Sequence, residues 1–160
     1  MSKKLTLTDI KNSNKKFTQK KRVDLSDGSH LFIYPYFSPT SKNELIKEIM
    51  TEFTKATELG LDFEKINFAD WTAFNLIYKY ADLGIPKDIK KKIIAFHELL
   101  NYELFGEILA SFPKESIDGF NETVLQVQQN LNAILQERGI KLDEALEKAT
   151  ADESDNNIVQ

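Results

Sequence analysis

Residues 22–35 read RVDLSDGSHLFIYP, and this stretch decides the fold. Arg22-Val23-Asp24-Leu25 alternates in polarity, Ser26-Asp27-Gly28 carries turn chemistry, and His30-Leu31-Phe32-Ile33-Tyr34 is rich in strand formers. Asp-Gly between two such runs is a strong short-range hairpin signal, with the glycine supplying the positive φ that the turn needs. Pro35 limits the second strand because it has no N–H for a ladder. A two-stranded hairpin is marginal alone. Phe32, Tyr34 and Val23 are therefore expected to pack on the rest of the chain, or an edge to pair with another molecule.

On the C-terminal side the period changes from two to that of a helix. Ser41 and Glu44 have capping-box spacing, Leu45, Ile49 and Phe53 follow at intervals of four, and Gly60 closes the helix expected over 41–59. A second helix is expected over 70–83, with Trp71, Phe74, Ile77, Tyr78 and Ala81 on its apolar face and Gly84-Ile85-Pro86 as its stop. A third, 87–101, turns Ile89, Ile93, Phe96 and Leu100 inward, and a short fourth, 102–111, ends at Phe112-Pro113. A last long helix is expected near 114–138, where Ile117, Phe120, Val124, Val127, Leu131 and Ile134 are spaced alternately by three and four and Gly139 ends the segment. This heptad-like seam is shorter than a true coiled coil, which needs roughly 3–4 heptads. Its flank, Gln126, Gln128, Gln129, Asn130 and Asn132, is amide-rich.

The resulting fold class is mainly α: an N-terminal β-hairpin, then a compact antiparallel helical bundle joined by short links, with flexible termini. Residues 1–20 are read as a basic, largely patternless arm with a short strand at Leu5–Leu7. Residues 21–140 are read as a single α-rich domain, and 141–160 as an acidic mobile tail.

The chain has 160 residues, 41% hydrophobic and 29% charged, enough for a folded core. It has no cysteine, which removes disulfides, thiolate metal sites and cysteine nucleophiles together. No apolar run approaches the ~18 residues of a membrane span, and the N-terminus lacks the apolar core of a secretory signal. A cytoplasmic location is expected. The net charge of −4 is unevenly placed. Residues 1–22 carry eight basic side chains against Asp9 alone, or +7, and the remainder −11. A basic arm on an acidic body suits an acidic partner, or a nucleic-acid-associated regulator using Lys3–Arg22; the acidic body disfavours the latter.

Side chains for catalysis are few. His30 and His97 are isolated, with no second histidine at zinc-helix spacing. There is no G-x-S-x-G elbow, and the six glycines form no phosphate loop. Asp62 with Glu64, and Glu103 with Glu107, read as surface charge because nothing in the sequence desolvates one carboxylate against the other. The lysines Lys87, Lys90, Lys91 and Lys92 read as a solvated helix start, although cations there oppose the helix dipole. The expectation is a protein that is not an enzyme, with no catalytic residues, cofactor or metal. The Ile117–Ile134 seam is the candidate partner-binding surface.

The order of parts adds a resemblance. The hairpin ends in Ile33-Tyr34-Pro35-Tyr36-Phe37-Ser38-Pro39-Thr40, a helix containing Asn43-Glu44-Leu45-Ile46-Lys47-Glu48-Ile49 follows at once, and then come a helical body and an acidic end. Over residues 22–135 this resembles the tail assembly chaperones of long-tailed bacteriophages. The resemblance is one of architecture and not of an invariant motif, and the basic arm lies outside it. It implies a non-enzymatic role in the host cytoplasm. The protein would coat the tape measure protein, a very long helical polypeptide, until tail tube protein polymerises around it. Tape measure and tube proteins are thus the implied partners, with self-association as a further expectation.

Overall fold

The computed structural model describes residues 1–59 and 66–137, apart from the side chains of Phe53, Thr54, Thr57, Leu131 and Leu135. The expectations placed on Gly60, Asp62, Glu64, Gly139 and 141–160, and on the Phe53 and Leu131 side chains, lie outside the described residues. The chain divides into two compact units, Met1–Phe120 and Asn121–Gln160.

The first unit holds the expected hairpin. Strands β1 (Lys21–Asp24) and β2 (His30–Ile33) pair antiparallel, with Arg22 opposite Phe32, Val23 opposite Leu31 and Asp24 opposite His30. The Leu25 N–H donates to the Ser29 carbonyl at 2.8 Å and the Gly28 N–H to the Leu25 carbonyl at 3.0 Å, which leaves Ser26-Asp27-Gly28 as the loop. Gly28 has φ +86°, the left-handed conformation such a three-residue loop requires at its last position.

The strand faces are the reverse of the expectation for the aromatics. Leu31 and Ile33 point inward and are buried, Val23 shares their side of the pair, and Phe32 is exposed and Tyr34 half-buried on the other. Side chains alternate strictly along a strand, so burying Ile33 commits Phe32 and Tyr34 to the outside. The free edge of β2 is met by the chain after the third helix: Ile33 bridges Ala81, the Tyr34 N–H donates to the Tyr80 carbonyl at 2.8 Å, and the Asp82 N–H to the Phe32 carbonyl at 2.9 Å. A two-stranded ribbon thereby gains a third partner and one covered edge.

The helices follow in the expected order. The arm departs from expectation: in place of a strand at Leu5–Leu7 stands α1 (Leu7–Asn14), followed by a 3-10 turn, Lys15–Thr18. Thr6 and Asp9 form a reciprocal capping box that satisfies free N–H groups at the start of α1, and no α1 residue is buried. Helix α2 spans Pro39–Glu58, beginning two residues before the expected Ser41. Pro39 fits the first helical position, while the Ser38 hydroxyl accepts from the Ser41 N–H at 3.2 Å. Helix α3 (Phe68–Tyr80), capped by Asn67, ends short of Leu83 because its C-terminal residue turns into the β2 pairing. Helices α4 (Ile89–Leu100), capped by Asp88, α5 (Phe105–Ala110) and α6 (Lys114–Glu137) complete the order.

Helix α3 is the hub, packed against α2, α4 and α5. Trp71, Phe74 and Ile77 are fully buried, as expected of them, together with Leu45, Ile49, Phe96 and Ile108. The rings of Trp71, Phe74 and Phe96 form a mutual triangle with centroids 5.2–5.4 Å apart, two contacts edge-on and one stacked. Such pairs add to the area they bury by roughly 0.5–1.5 kcal/mol each. A second aromatic group, Phe37 stacked on Tyr80 at 3.8 Å with Phe112 at 5.7 Å from Phe37, fixes the chain between hairpin and α2.

Candidate interaction surfaces

The expected partner surface lies on α6. In the first unit, Ile117 is half-buried and Phe120 is buried, only 1% exposed. Here the Ser116 hydroxyl donates to the Pro35 carbonyl at 2.6 Å, tying the start of α6 to the chain leaving the hairpin. In the second unit, Val124 and Val127 are half-buried and Ile134 is 48% exposed. Leu125, off the seam, is 53% exposed. The amide face of Gln126, Gln128, Gln129, Asn130 and Asn132 is exposed. The seam is thus core at Phe120, while its described residues from Val124 onward keep apolar surface open.

A second surface lies outside the sequence expectations. Strand alternation sets Arg22, Asp24, His30 and Phe32 on the outer face of the hairpin, and the next pair in register is Lys20 with Tyr34. The Lys20 ammonium lies over the Tyr34 ring, 5.6 Å from its centroid, and pairs with Asp82 at 3.0 Å. Its hydrogen bond to Asp82 raises the Lys20 pKa above its ordinary value. Lys16 bridges two more rings, 5.2 Å from Phe17 and 5.7 Å from Tyr36. Beside them opens a cleft of about 130 Å³ lined by Phe17, Tyr36, Phe37, Lys42, Glu115 and Ser116. The sequence signal is the interleaving of lysines and aromatics from Lys16 to Tyr36, but only strand register and tertiary contacts show which of them meet.

The lysine cluster at the start of α4 divides. Lys87, Lys90 and Lys91 are exposed, as expected of a solvated helix start, but Lys92 is fully buried. Its ammonium donates to both Glu52 oxygens, at 2.7 and 2.8 Å, and sits 3.7 Å from the centroid of the Tyr78 ring. Burial pulls the Lys92 pKa below its ordinary value, and the Glu52 hydrogen bond opposes that pull. Glu107, read from sequence as surface charge, anchors the hairpin loop. One of its oxygens accepts from the Ser26 N–H at 2.8 Å and the other from the Ser26 hydroxyl at 2.7 Å. The Tyr102 hydroxyl reaches Asp27 at 3.1 Å in the same place. These are structural roles. Exposed His30 meets Phe32 edge-on, and His97 lies beside Phe96. Among the described residues no group of three or more potential metal ligands comes together.

A mainly helical fold with an N-terminal hairpin, carrying apolar and cationic surface, defines a class by architecture; sequence comparison makes it specific. The chain belongs to the YomO family, which it matches over residues 7–160. It is 44% identical over 116 residues to the SPbeta prophage-derived protein YomO of Bacillus subtilis (strain 168), an alignment covering 72% of this chain and 70% of that relative. The family therefore has a prophage-derived member. No solved structure matches the chain. No helix among the described residues is long and apolar enough to cross a membrane.

Proposed function

We propose that this protein is a phage tail assembly chaperone: a non-enzymatic protein that binds the tape measure protein through α6 and promotes tail tube assembly around it in the host cytoplasm. The observation that carries the reading is the open apolar surface of α6, at Val124, Val127, Leu125 and Ile134. A long helical client displays apolar stripes before it is enclosed, and an amphipathic helix with unsealed apolar positions is a matching receptor. The prophage origin of the YomO relative supports a phage setting, and a hairpin followed directly by helices agrees with the resemblance of residues 22–135. The reading of a nucleic-acid-associated regulator has less support, because Asp9, Asp24 and Asp82 each pair with a cation of the basic segment. The test is co-expression of the tagged protein with the tape measure and tail tube proteins encoded in the same phage genome. Co-purification of the tape measure protein is expected; its absence, with DNA recovered instead, would overturn the reading.

A further inference from the structure

The cations on and beside the outer face of the hairpin have company that a merely solvated arm does not need. Three rings, those of Phe17, Tyr34 and Tyr36, each lie under a lysine ammonium, and the rings hold Lys16 and Lys20 over a fixed surface instead of leaving them to sweep through solvent. Lys42 extends the line into the cleft beside Tyr36. Arg22, on the same face as Lys20 and opposite Phe32, adds a guanidinium. Among the described residues neither Lys16 nor Lys42 has a carboxylate within ion-pair distance, whereas Lys20 and Arg22 are matched by Asp82 and Asp24. Within residues 1–22 the charge is +7.

We propose that this strip, from Arg22 and Lys20 across Tyr34, Lys16 and Tyr36 to Lys42, is a docking surface for an acidic segment of another polypeptide chain. Charge complementarity selects the sign of the occupant, and the interspersed groups select its class. A single-stranded nucleic acid gains most of its sequence-tolerant affinity by stacking bases on ring faces, and here lysines already cover those faces. Its phosphates are also evenly spaced, so they would meet Asp24, Asp82 and Glu115 along the strip. A polypeptide with spaced carboxylates can place them at Lys16 and Lys42 and leave the acidic positions facing neutral residues. The pre-placed lysines lose less rotamer freedom on binding than free ones. The strip shares no residue with the apolar positions of α6 proposed above, and its occupancy does not depend on that reading.

The experiment titrates the full chain against a fluorescein-labelled peptide of alternating Glu and Ser, read by fluorescence anisotropy, with a labelled oligo-dT strand in parallel. Saturable peptide binding is expected, weakening as ionic strength rises towards ~0.15 M. K16E/K42E should weaken it at least tenfold, while K90E/K91E, an equal change in net charge on exposed α4 positions, should weaken it less than threefold. Trp71 emission confirms that each variant is folded. Equal losses in the two variants would show a diffuse charge effect and overturn the proposal. So would no peptide binding, tighter binding of oligo-dT than of the peptide, or a salt-sensitive dimer of the protein that K16E/K42E dissolves.

Discussion

Removing the Glu52 carboxylate should cost more than removing the Lys92 ammonium, although each substitution breaks the same pair. In Glu52→Ala, Lys92 loses both of its 2.7 and 2.8 Å acceptors, and the Tyr78 and Trp71 rings, 3.7 and 5.8 Å from the ammonium, are left to face its charge. Breaking a buried pair from one side costs roughly 3–5 kcal/mol. The Glu52 side chain keeps 17% of its surface exposed, so water can enter in its place and the lower end, about 3 kcal/mol, is expected. In Lys92→Met the remaining carboxylate can hydrate through that opening, and the methionine fills the stem's volume. A cost of about 1 kcal/mol is expected. Glu52→Leu combined with Lys92→Met should lie within about 1 kcal/mol of the wild type, because an apolar pair replaces an ionic one that had paid its own desolvation. Urea titration followed by the emission of Trp71, the single tryptophan, reads all three. Glu52→Ala should also recover stability as pH rises towards the ordinary lysine value of 10.5. Its folded-state pKa lies below the unfolded one, so the unfolded chain binds the proton more tightly throughout that window. A Glu52→Ala variant as stable as the wild type, or less affected than Lys92→Met, would refute the buried-pair account.

Two further outcomes follow from the core. Phe74→Ala empties one corner of the triangle with Trp71 and Phe96 and should cost about 3–5 kcal/mol by thermal or urea unfolding; a loss under about 1 kcal/mol would place the ring outside the core. Burial raises the Tyr80 pKa above its ordinary value of 10.0, with the Ser41 hydrogen bond pulling the other way. The resulting stability is complete below pH 10 and is lost as pH climbs from 10 towards the raised folded-state value, so Tyr80→Phe should flatten that alkaline loss, read as Tm against pH.

Much of this architecture was legible because local chemistry and tertiary packing agree. The Asp27-Gly28 loop requires its glycine, and the Trp71–Phe74–Ile77 face buries whole. The hairpin's orientation was not legible, since every residue from Leu31 to Tyr34 is apolar or aromatic and either face reads as the inner one. Helix α1 carries its own signal, Thr6 three residues before Asp9, which the density of lysines obscured. Lys92 could have been found: Ile89, Lys92, Ile93 and Phe96 share the i, i+3, i+4, i+7 stripe of an inward face, so one lysine of the cluster had to point into the protein. Its partner could not, because Glu52 lies forty residues earlier and only the packing of α2 and α4 on α3 brings the two together. The same limit hid the basic and aromatic strip: strand register sets Arg22 opposite Phe32, and tertiary contacts alone bring Lys16 and Lys42 beside Tyr36. The α6 spacing was plain, but spacing alone does not separate Phe120, which is sealed, from Ile134, which is open.

The most direct test of the chaperone reading is a binding isotherm between this protein and purified segments of the tape measure protein from the same phage genome, with wild type and V124D/V127D compared. Both valines are half-exposed, so the variant should remain folded by Trp71 emission. The account predicts saturable binding by the wild type and at least a tenfold loss in the variant, two charges having been placed on the apolar contact. Equal affinity of the two proteins, or no binding to any tape measure segment, would contradict it.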